Sequence, residues 1–285
     1  MFHNLTATFR AHRLALAGLG ILVALLLAGI FSPLLALHDP YAVNAKLKLM
    51  TPNAEFLLGT DQLGRCILSR LIYGITTSLT TAIAATLLML AIGVPLGILA
   101  GYVGGRTNNF VMRLADIAST FPSGILALAV AGILGPGLFN ILMVFVLLWW
   151  APFARIVRSS VIMLKKKDFV LAAVASGSCH TSIILRHIMP NAISPIIVLA
   201  TLRIAAVIIH VAAFSFIGLG TQSPMADWGV MLSDSRQYMT SHPLMLLWPT
   251  LAIMLSVFAL NLLGEGLNEA LLPSGQTATV KEGAL

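Results

Sequence analysis

Residues 168–177, Asp-Phe-Val-Leu-Ala-Ala-Val-Ala-Ser-Gly, and residues 186–191, Arg-His-Ile-Met-Pro-Asn, belong to a polar, basic-flanked segment between two long apolar runs. The two adjacent alanines of the first stretch favour a helix, and its final glycine permits a sharp turn. The proline of the second stretch suits the first turn of a following helix. The pattern predicts a helix, a tight turn and a second helix, which together form a compact knob projecting from a membrane protein.

Composition places the whole chain in a membrane. Hydrophobic residues make up 58% of it and charged residues 9%, whereas soluble domains carry about 25% charged residues. Charged side chains are absent from four long runs, at residues 14–38, 71–105, 117–154 and 237–264. About 20 apolar residues are enough for a helix to cross a bilayer, so every run is long enough. A water-soluble protein is excluded.

The uncharged runs and the strongest helix breakers divide the chain into six predicted transmembrane helices. The first run is too long for the core of a cleaved signal peptide and is kept as a helix. The third run is too long for one helix, and Gly-Pro-Gly at 135–137 splits it. The predicted fold is therefore an all-α integral membrane protein. Its helices are expected at residues 14–36, 78–102, 112–134, 138–153, 190–218 and 244–263.

Lysine and arginine residues indicate which ends of these helices face the cytoplasm. The two termini and the loops 104–113 and 155–186 hold eleven of them, whereas the segments 38–70 and 220–242 hold five. Cytoplasmic loops carry the excess of positive charge, so both termini and the knob are predicted to be cytoplasmic. The net charge of +7 follows this distribution, which argues against a nucleic acid as partner.

The longest predicted external segment, residues 38–73, contains a second candidate element that starts at Asp61. Asp is a good N-cap, and apolar residues recur after it, so we expect an amphipathic helix in the membrane interface that leads into the second span. Cys66 and Cys179 fall on opposite sides of the membrane in this topology and cannot form a disulfide. The polar tail from Pro273 is expected to be disordered.

The knob resembles the cytoplasmic coupling loop of ATP-binding-cassette (ABC) importer permeases, whose pattern is written EAA…G…LP. Here the pattern falls on Leu171-Ala172-Ala173, Gly177 and Met189-Pro190. The resemblance implies the transmembrane-domain fold of type I ABC importers, with this loop docked on an ATPase subunit. The residues to which it assigns ATPase coupling are Asp168, Leu171, Ala172, Ala173, Gly177 and Pro190.

Further motifs narrow the resemblance to the dipeptide, oligopeptide and nickel permeases. Residues 59–70 resemble the signature GTDxxGRDxxSR of that family, and residues 215–220, Ser-Phe-Ile-Gly-Leu-Gly, resemble another of its motifs. Three positions depart from the pattern: Cys66 replaces an Asp, Asn108 stands where an Asp is common, and Leu171 replaces the Glu of the coupling loop. The first departure removes the carboxylate of any salt bridge made at that position.

The fifth span suggests the cargo. Peptide permeases usually carry a Glu at the position of Val211, and this chain has His210-Val211 there. The local sequence is more similar to nickel and metal-chelate permeases, and neutral imidazole is a common ligand of such metals. His210 is therefore a candidate metal ligand on the translocation path. The alternative is a buried histidine that only forms a hydrogen bond.

Arg203 is the second candidate residue of the translocation path. It follows Pro190 by thirteen residues, which places it about 20 Å into the span, where a charge costs at least about 2.5–3.5 kcal/mol. Seven residues separate Arg203 from His210, so the two share one helical face. Arg203 either lines the path of an anionic chelate or forms a structural pair with a partner-subunit acid or backbone carbonyls.

The resulting hypothesis is a permease subunit of an ATP-driven importer in the cell inner membrane, with nickel or a related transition-metal chelate as cargo. A dipeptide or oligopeptide is the alternative cargo, and a self-sufficient channel or ion-coupled carrier is a distant alternative. The resemblance implies a heterodimer with a homologous permease, two cytoplasmic ATP-binding subunits and an extracytoplasmic solute-binding protein in a lipid membrane. The sequence has no GxxxxGK[ST] loop, so we expect neither an ATPase site nor a cofactor in this chain.

The same interpretation divides the chain into three parts. Residues 1–74 comprise the N-terminal tail, the first helix and the external segment. Residues 75–272 form the permease core, with the coupling loop at 155–190. Residues 273–285 are the polar cytoplasmic tail.

Overall fold

The computed structural model describes residues 13–271, and regular structure in that range is helical apart from one isolated bridge between Thr60 and Cys66. This confirms the predicted all-α fold. The predicted polar tail and most of the N-terminal tail lie outside the described residues. The helices are α1 Arg13–Ile30, α2 Ser32–Leu35, α3 Ile67–Val103, α4 Gly105–Thr120, α5 Ser123–Leu134, α6 Leu138–Trp149, α7 Ala151–Leu164, α8 Asp168–Ala175, α9 His180–Ser182, α10 Met189–Phe216, α11 Trp228–Ser235 and α12 Leu244–Leu271.

Several helical stretches in this range are long and apolar enough to cross a membrane. They are α1, α3, the stretch of α6 and α7, the stretch from α9 through α10, and α12. A sixth crossing is available if α4 and α5 count as one bent span. An even number of crossings leaves both ends of a chain on the same side. The predicted cytoplasmic placement of both termini therefore requires this sixth crossing.

The third predicted span, residues 112–134, is wrong as a single straight helix. α4 ends at Thr120, α5 begins at Ser123, and the two are bent by 75°. Phe121 between them is extended, with φ −76° and ψ 124°. The cause is Pro122, because proline disfavours helical backbone in the residue before it and lacks the N–H that a helix needs.

Three other helices extend beyond their predicted spans: α12 continues to Leu271 rather than to residue 263, and α3 and α7 each extend by eleven residues. α3 begins at Ile67 rather than at residue 78, and α7 continues the fourth span to Leu164 rather than to residue 153. The extensions of α3 and α7 contain arginine side chains that bind to other parts of the chain. Counting uncharged residues assigns such positions to loops, because it takes no account of partners that are distant in the sequence.

α3 and α7 approach each other along a row of glycines on α3. Gly93, Gly97 and Gly101 recur every four residues, and a Cβ atom added to any of them would lie 2.6–2.8 Å from a backbone oxygen of α7 or of Trp150 just before it. Small residues at this spacing let two helix backbones come close inside a membrane. The row therefore fixes the position of α7, which leads directly to α8.

Buried apolar side chains form a main core and a smaller second cluster. The main core joins α3, α6, α7, α10 and α12. The second cluster lies between α8 and the ends of the longer helices next to it, and its buried members are Val157, Val161, Val170, Ala173, Ile183, Ile188 and Ile196.

Candidate functional sites

On the predicted external side, a buried ion-pair network joins the start of α3 to α11. Arg65 and Arg70 are each 1% exposed. The Nε of Arg65 donates to Asp61 Oδ2 at 2.5 Å, and its Nη2 donates to Asp234 Oδ2 at 2.8 Å. The Nε of Arg70 lies 3.7 Å from the same Asp61 oxygen, and its Nη2 donates to the carbonyl of Met225 at 3.3 Å. The two arginines attach the segment after the first span to the loop before the last one.

The predicted N-cap role of Asp61 and the predicted interfacial helix are both wrong. Cys66 occupies the N-cap position of α3, and the Asp61 carboxylate accepts instead from the backbone N–H groups of Leu63 and Arg65. Ile67, the first residue of α3, is 3% exposed, so protein rather than lipid headgroups covers this helix start. The salt bridges of Arg65 form without a carboxylate at position 66.

A second buried acid, Asp227, caps α11. Its carboxylate accepts from the backbone N–H groups of Gly229 and Val230 and from the hydroxyl of Ser78 on α3. Burial raises the pKa of the Asp227 carboxyl above its ordinary value of 3.8, and these hydrogen bonds offset only part of the rise. The cap therefore also fastens α11 to α3.

The predicted coupling loop has the shape expected from its sequence. α8 is followed by Gly177 with φ +75°, and helical backbone resumes at His180. Pro190 lies in the first turn of α10. The positive φ explains the glycine, since other L-residues rarely adopt that conformation.

α8 begins without a side-chain cap. Lys167 holds the N-cap position without a side-chain hydrogen bond to the helix, and Asp168 is the first helical residue. A carboxylate in the first turn interacts favourably with the positive end of the helix dipole, but Asp168 is not the cap. Of the two alanines in the motif, Ala172 is exposed and Ala173 is buried.

α8 has one buried face, and apolar side chains are exposed on both flanks of it. Val170 and Ala173 are 2% and 8% exposed and belong to the second cluster, whereas Phe169, Leu171 and Val174 are 43%, 52% and 55% exposed. A polar linker would not present three such side chains to water. Leu171 and Val174 are three residues apart and therefore neighbours on the helix surface, and adjoining exposed apolar side chains are typical of a site that another molecule covers.

The end of α3 holds the second half of the loop in place. The hydroxyl of Tyr102 lies 2.8 Å from Nδ1 of His180, and the two rings meet edge to face at 5.6 Å. Lys165 Nζ donates to the Tyr102 carbonyl at 2.6 Å and lies 5.0 Å from the centre of the tyrosine ring. One tyrosine therefore contacts both the residues before α8 and the residues after Gly177.

The extension of α7 is fixed to α4 by its two arginines. Arg155 Nη2 donates to Asp116 Oδ1 at 2.9 Å, and Arg158 Nε donates to Oδ1 of Asn108. The amide oxygen of Asn108 thus supplies the acceptor that an aspartate would provide at this position.

Within the membrane-spanning part, Arg203 and His210 meet at one tryptophan. The guanidinium carbon of Arg203 lies 5.2 Å from the ring centre of Trp149 on α6. The imidazole of His210 meets the same ring edge to face at 4.8 Å. The predicted sharing of one helical face by Arg203 and His210 is confirmed by this common contact. All three side chains are half-buried.

Phe145 completes this intramembrane cluster. It stacks on Trp149 at 4.6 Å with an angle of 15° between the rings and meets His210 edge to face at 5.7 Å. Neither aromatic residue is a site candidate from the sequence alone, because aromatic residues in an apolar span are typical of core packing. The available signal is their four-residue spacing, which puts both rings on one side of α6.

The hydrogen bond of His210 determines which of its ring nitrogens is available. Nδ1 lies 2.8 Å from the carbonyl oxygen of Ala206. A carbonyl only accepts, so Nδ1 carries the proton of the neutral ring, and the lone pair is left on Nε2. Within residues 13–271, no three His, Cys, Asp or Glu side chains come together in a way that could hold a metal ion.

Comparison with protein families matches two parts of the chain. Residues 93–274 match the model described as "Binding-protein-dependent transport system inner membrane component". Residues 2–52 match the N-terminal transmembrane domain of oligopeptide transport permease C. The first match covers the coupling loop and the intramembrane cluster.

Three curated proteins illustrate how close the relatives are. The nickel transport system permease protein NikC of Escherichia coli K12 is 44% identical over 236 residues, covering 83% of this chain and 85% of that protein. The dipeptide permease DppC of Alkalihalophilus pseudofirmus is 42% identical over 264 residues, covering 93% and 87%. The oligopeptide permease OppC of Bacillus subtilis is 37% identical over 265 residues, with the same coverage.

A solved structure has the same fold. It is the MetNI methionine ABC transporter in an inward-facing conformation, with a TM-score of 0.58 over 73% of this chain and 98% of that one. The sequences are 17% identical, so this likeness concerns the fold and not the cargo. It confirms the predicted fold of an ABC importer transmembrane domain.

Proposed function

Because this chain belongs to the family of binding-protein-dependent transport system inner membrane components, we propose that it carries nickel, as a small chelate, through the inner membrane as one permease subunit of an ABC importer. The observation that carries the cargo proposal is the free lone pair of His210 Nε2 beside the half-buried Arg203. Membership of this family argues against a self-sufficient channel or carrier.

The coordination chemistry favours a chelate over a bare nickel ion. A metal-binding histidine usually donates its other ring N–H to a carbonyl or carboxylate, which orients the ring. His210 has this arrangement with Ala206. The described part of the chain offers no set of three candidate metal ligands, and in this proposal the chelator carried with the metal supplies most of them.

A dipeptide or oligopeptide is the second candidate cargo. The dipeptide permease matches 93% of this chain at 42% identity, and the nickel permease matches 83% at 44% identity. Overall similarity therefore does not separate the two cargoes. The C-terminal carboxylate of a peptide could also approach Arg203, which explains why the uptake of both cargoes has to be measured.

Energy for transport comes from ATP-binding subunits in this proposal, and they dock on α8. Leu171 and Val174 form an exposed apolar face on this short helix, and Phe169 is exposed on the opposite flank of its buried side. A helix of this kind can sit in a groove of a partner and move with it as a rigid body. A homologous permease completes the path, and an extracytoplasmic binding protein delivers the cargo.

The second cluster supplies the connection from α8 to the spans. Val170 and Ala173 of α8 pack in one group with Val157 and Val161 of α7 and with Ile196 of α10. Close-packed side chains transmit displacement because they leave little room for compression. Movement of α8 is therefore passed to α7 and α10, and α10 carries Arg203 and His210.

The test is uptake by the complete transporter reconstituted in vesicles. We expect His210→Ala to lower nickel uptake about tenfold or more, since even the groups that orient metal ligands contribute about 10–100-fold. His210→Gln keeps a polar group and is milder if the histidine is only structural. His242→Ala, outside the spans, is the matched control and should leave uptake unchanged. Uptake of a labelled dipeptide but not of nickel by the wild-type transporter would replace the nickel proposal with the peptide one.

A further inference from the structure

Arg203 has no anionic partner in the part of the chain that the structure describes. Between residues 13 and 271, the ion pairs of arginine side chains are made by Arg65, Arg70 and Arg155. The contact found for Arg203 is the face of Trp149. A guanidinium carries five N–H donors in one plane, and a ring face uses none of them as a conventional hydrogen bond. The donors of Arg203 remain available to an acceptor.

The long helices packed around Arg203 supply no acid that pairs with it either. Acidic residues are absent between Asp116 and Asp168 and again between Asp168 and Asp227, so α6, α7 and α10 contain none. The acids of α12 are Glu265 and Glu269. Glu265 lies at about the depth of Arg203, because Gly264 contacts Thr201 and Leu202, but both acids line a pocket with Arg13 on the side of α12 that faces α1. A charge in the middle of a span is costly and is retained where it pairs or lines a water-filled path. No acid of residues 13–271 pairs with Arg203, so the anion that faces it comes from outside this part of the chain.

The surroundings of Arg203 suit a carboxylate. Stacking on an aromatic face holds a guanidinium in place without neutralising it. The planar fork of an arginine then binds both oxygens of a carboxylate at once. Because Arg203 and Trp149 are half-buried, an incoming group can reach them while most bulk water is kept away.

We propose that Arg203, held on Trp149 beside His210, is a carboxylate-binding subsite on the translocation path. This deepens the proposed function and rests on it. The carboxylate belongs either to an acid that chelates the metal or to the C-terminus of a peptide. In the first case Arg203 binds a carboxylate of the chelate while Nε2 of His210 faces its metal.

Uptake by the reconstituted complete transporter distinguishes the two sources. One pair of substrates is labelled alanyl-alanine and its C-terminal amide. The other pair is nickel with citrate and nickel with ethylenediamine, which has amine donors only. If the wild-type transporter prefers alanyl-alanine to its amide, the carboxylate is that of a peptide. If it prefers nickel with citrate to nickel with ethylenediamine, the carboxylate is that of the chelator. We expect Arg203→Gln to reduce that preference about tenfold or more, the usual effect of a hydrogen bond to a charged group. Arg203→Lys keeps the charge but not the fork and should be intermediate.

Two controls separate recognition from assembly. Arg236→Gln removes an exposed arginine outside the spans and should change neither preference. The ATPase activity of each purified complex shows whether its subunits still assemble. Equal loss of both members of a pair, together with loss of ATPase activity, would mean that Arg203 pairs with the partner subunit and would overturn the proposal. An unchanged preference in Arg203→Gln would overturn it as well.

A binding measurement keeps this test independent of transport. Citrate or acetate bound at Arg203 should change the fluorescence of Trp149 in the purified complex. The change should be absent in Arg203→Gln and in Trp149→Phe, and chloride at equal ionic strength should not cause it. If the wild-type transporter takes up none of the substrates, the proposed function fails. The fluorescence measurement alone then tests whether Arg203 binds a carboxylate. No carboxylate-dependent change in the wild type would then refute the subsite.

Discussion

The network around Arg65 and the exposed apolar side chains of α8 lie in different parts of the molecule. The first is a set of buried, paired charges, and the second is apolar surface that the chain leaves uncovered. In the network, two arginines that are 1% exposed are bound by Asp61 and Asp234 and by backbone carbonyls. On α8, three apolar side chains are left 43–55% exposed. At the predicted outer end the charges are paired within the chain, apart from Nη1 of Arg65, which is buried without a hydrogen-bond partner. The predicted inner end presents an apolar surface that needs a partner. Substitutions at the outer end should therefore affect stability, and substitutions at the inner end should affect transport.

The comparison requires the Arg65 network and α8 to lie on opposite sides of the membrane. Cys66 cannot report its side, because it is 3% exposed and a reagent would not reach it. Ala54→Cys, placed at an exposed position of the predicted external segment, should be labelled completely by an impermeant thiol reagent in intact spheroplasts. The exposed Cys179 should be labelled only after lysis. Labelling of Cys179 in intact spheroplasts would reverse the topology.

The network is expected to show the largest effect on stability. Arg65→Ala leaves Asp61 and Asp234 without their shared partner, and breaking a buried pair in this way costs about 3–5 kcal/mol. The thermal midpoint of the purified complex measures it. Asp234→Asn keeps an acceptor for Arg65 and should be milder. Arg236→Ala, at an exposed site, should leave the midpoint unchanged, and an equally unchanged midpoint in Arg65→Ala would remove the structural role of the network.

The turn after α8 is expected to separate coupling from stability. A β-branched residue resists the positive φ of Gly177, a conformation that costs an ordinary L-residue about 1–2 kcal/mol. Gly177→Val should therefore insert in the membrane and lose uptake. Gly177→Asn is the matched variant, since asparagine tolerates this conformation and no neighbouring atom lies within 4 Å of an added Cβ. Equal uptake by the two variants would show that the turn is not required.

The smallest expected effect is a pH dependence at the outer end. The pKa of the Asp227 carboxyl is raised in the folded state, so the folded chain binds this proton more tightly than the unfolded one. Stability then falls as the pH rises above the ordinary value of 3.8 and levels off above the folded pKa. Asp227→Asn keeps an acceptor for the cap and should flatten that decline of the thermal midpoint. An unchanged slope would show that Asp227 does not titrate with folding.

Charge and periodicity predict most of this fold because they act locally. Uncharged runs locate the spans, and the Gly177 turn and the Pro190 helix start follow from the conformations of glycine and proline. The break at Phe121-Pro122 also follows from the conformational limits that proline imposes on itself and on the residue before it. The three glycines of α3, spaced four residues apart in the sequence, likewise indicate a close approach of another helix.

What the sequence leaves open are pairings between distant segments. Arg65 binds Asp234 across 169 positions, which turns a predicted interfacial helix into a buried junction. Trp149 becomes a site residue only because α6 lies beside α10 and brings its ring to Arg203 and His210. No local pattern around Trp149 distinguishes it from an ordinary core tryptophan. Tertiary packing decides such contacts, and a single sequence does not record it.

The most direct test of the account compares one apolar residue from each end of the molecule. Val174 on α8 and Leu57 in the external segment are 55% and 53% exposed, so an aspartate at either position leaves the buried core untouched. The measurement is the amount of ATP-binding subunit that copurifies with the permease pair. We expect Val174→Asp to lose the ATP-binding subunits and Leu57→Asp to retain them at the wild-type level. Full retention in Val174→Asp, or equal loss in both variants, would contradict the assignment of α8 as the ATPase docking surface.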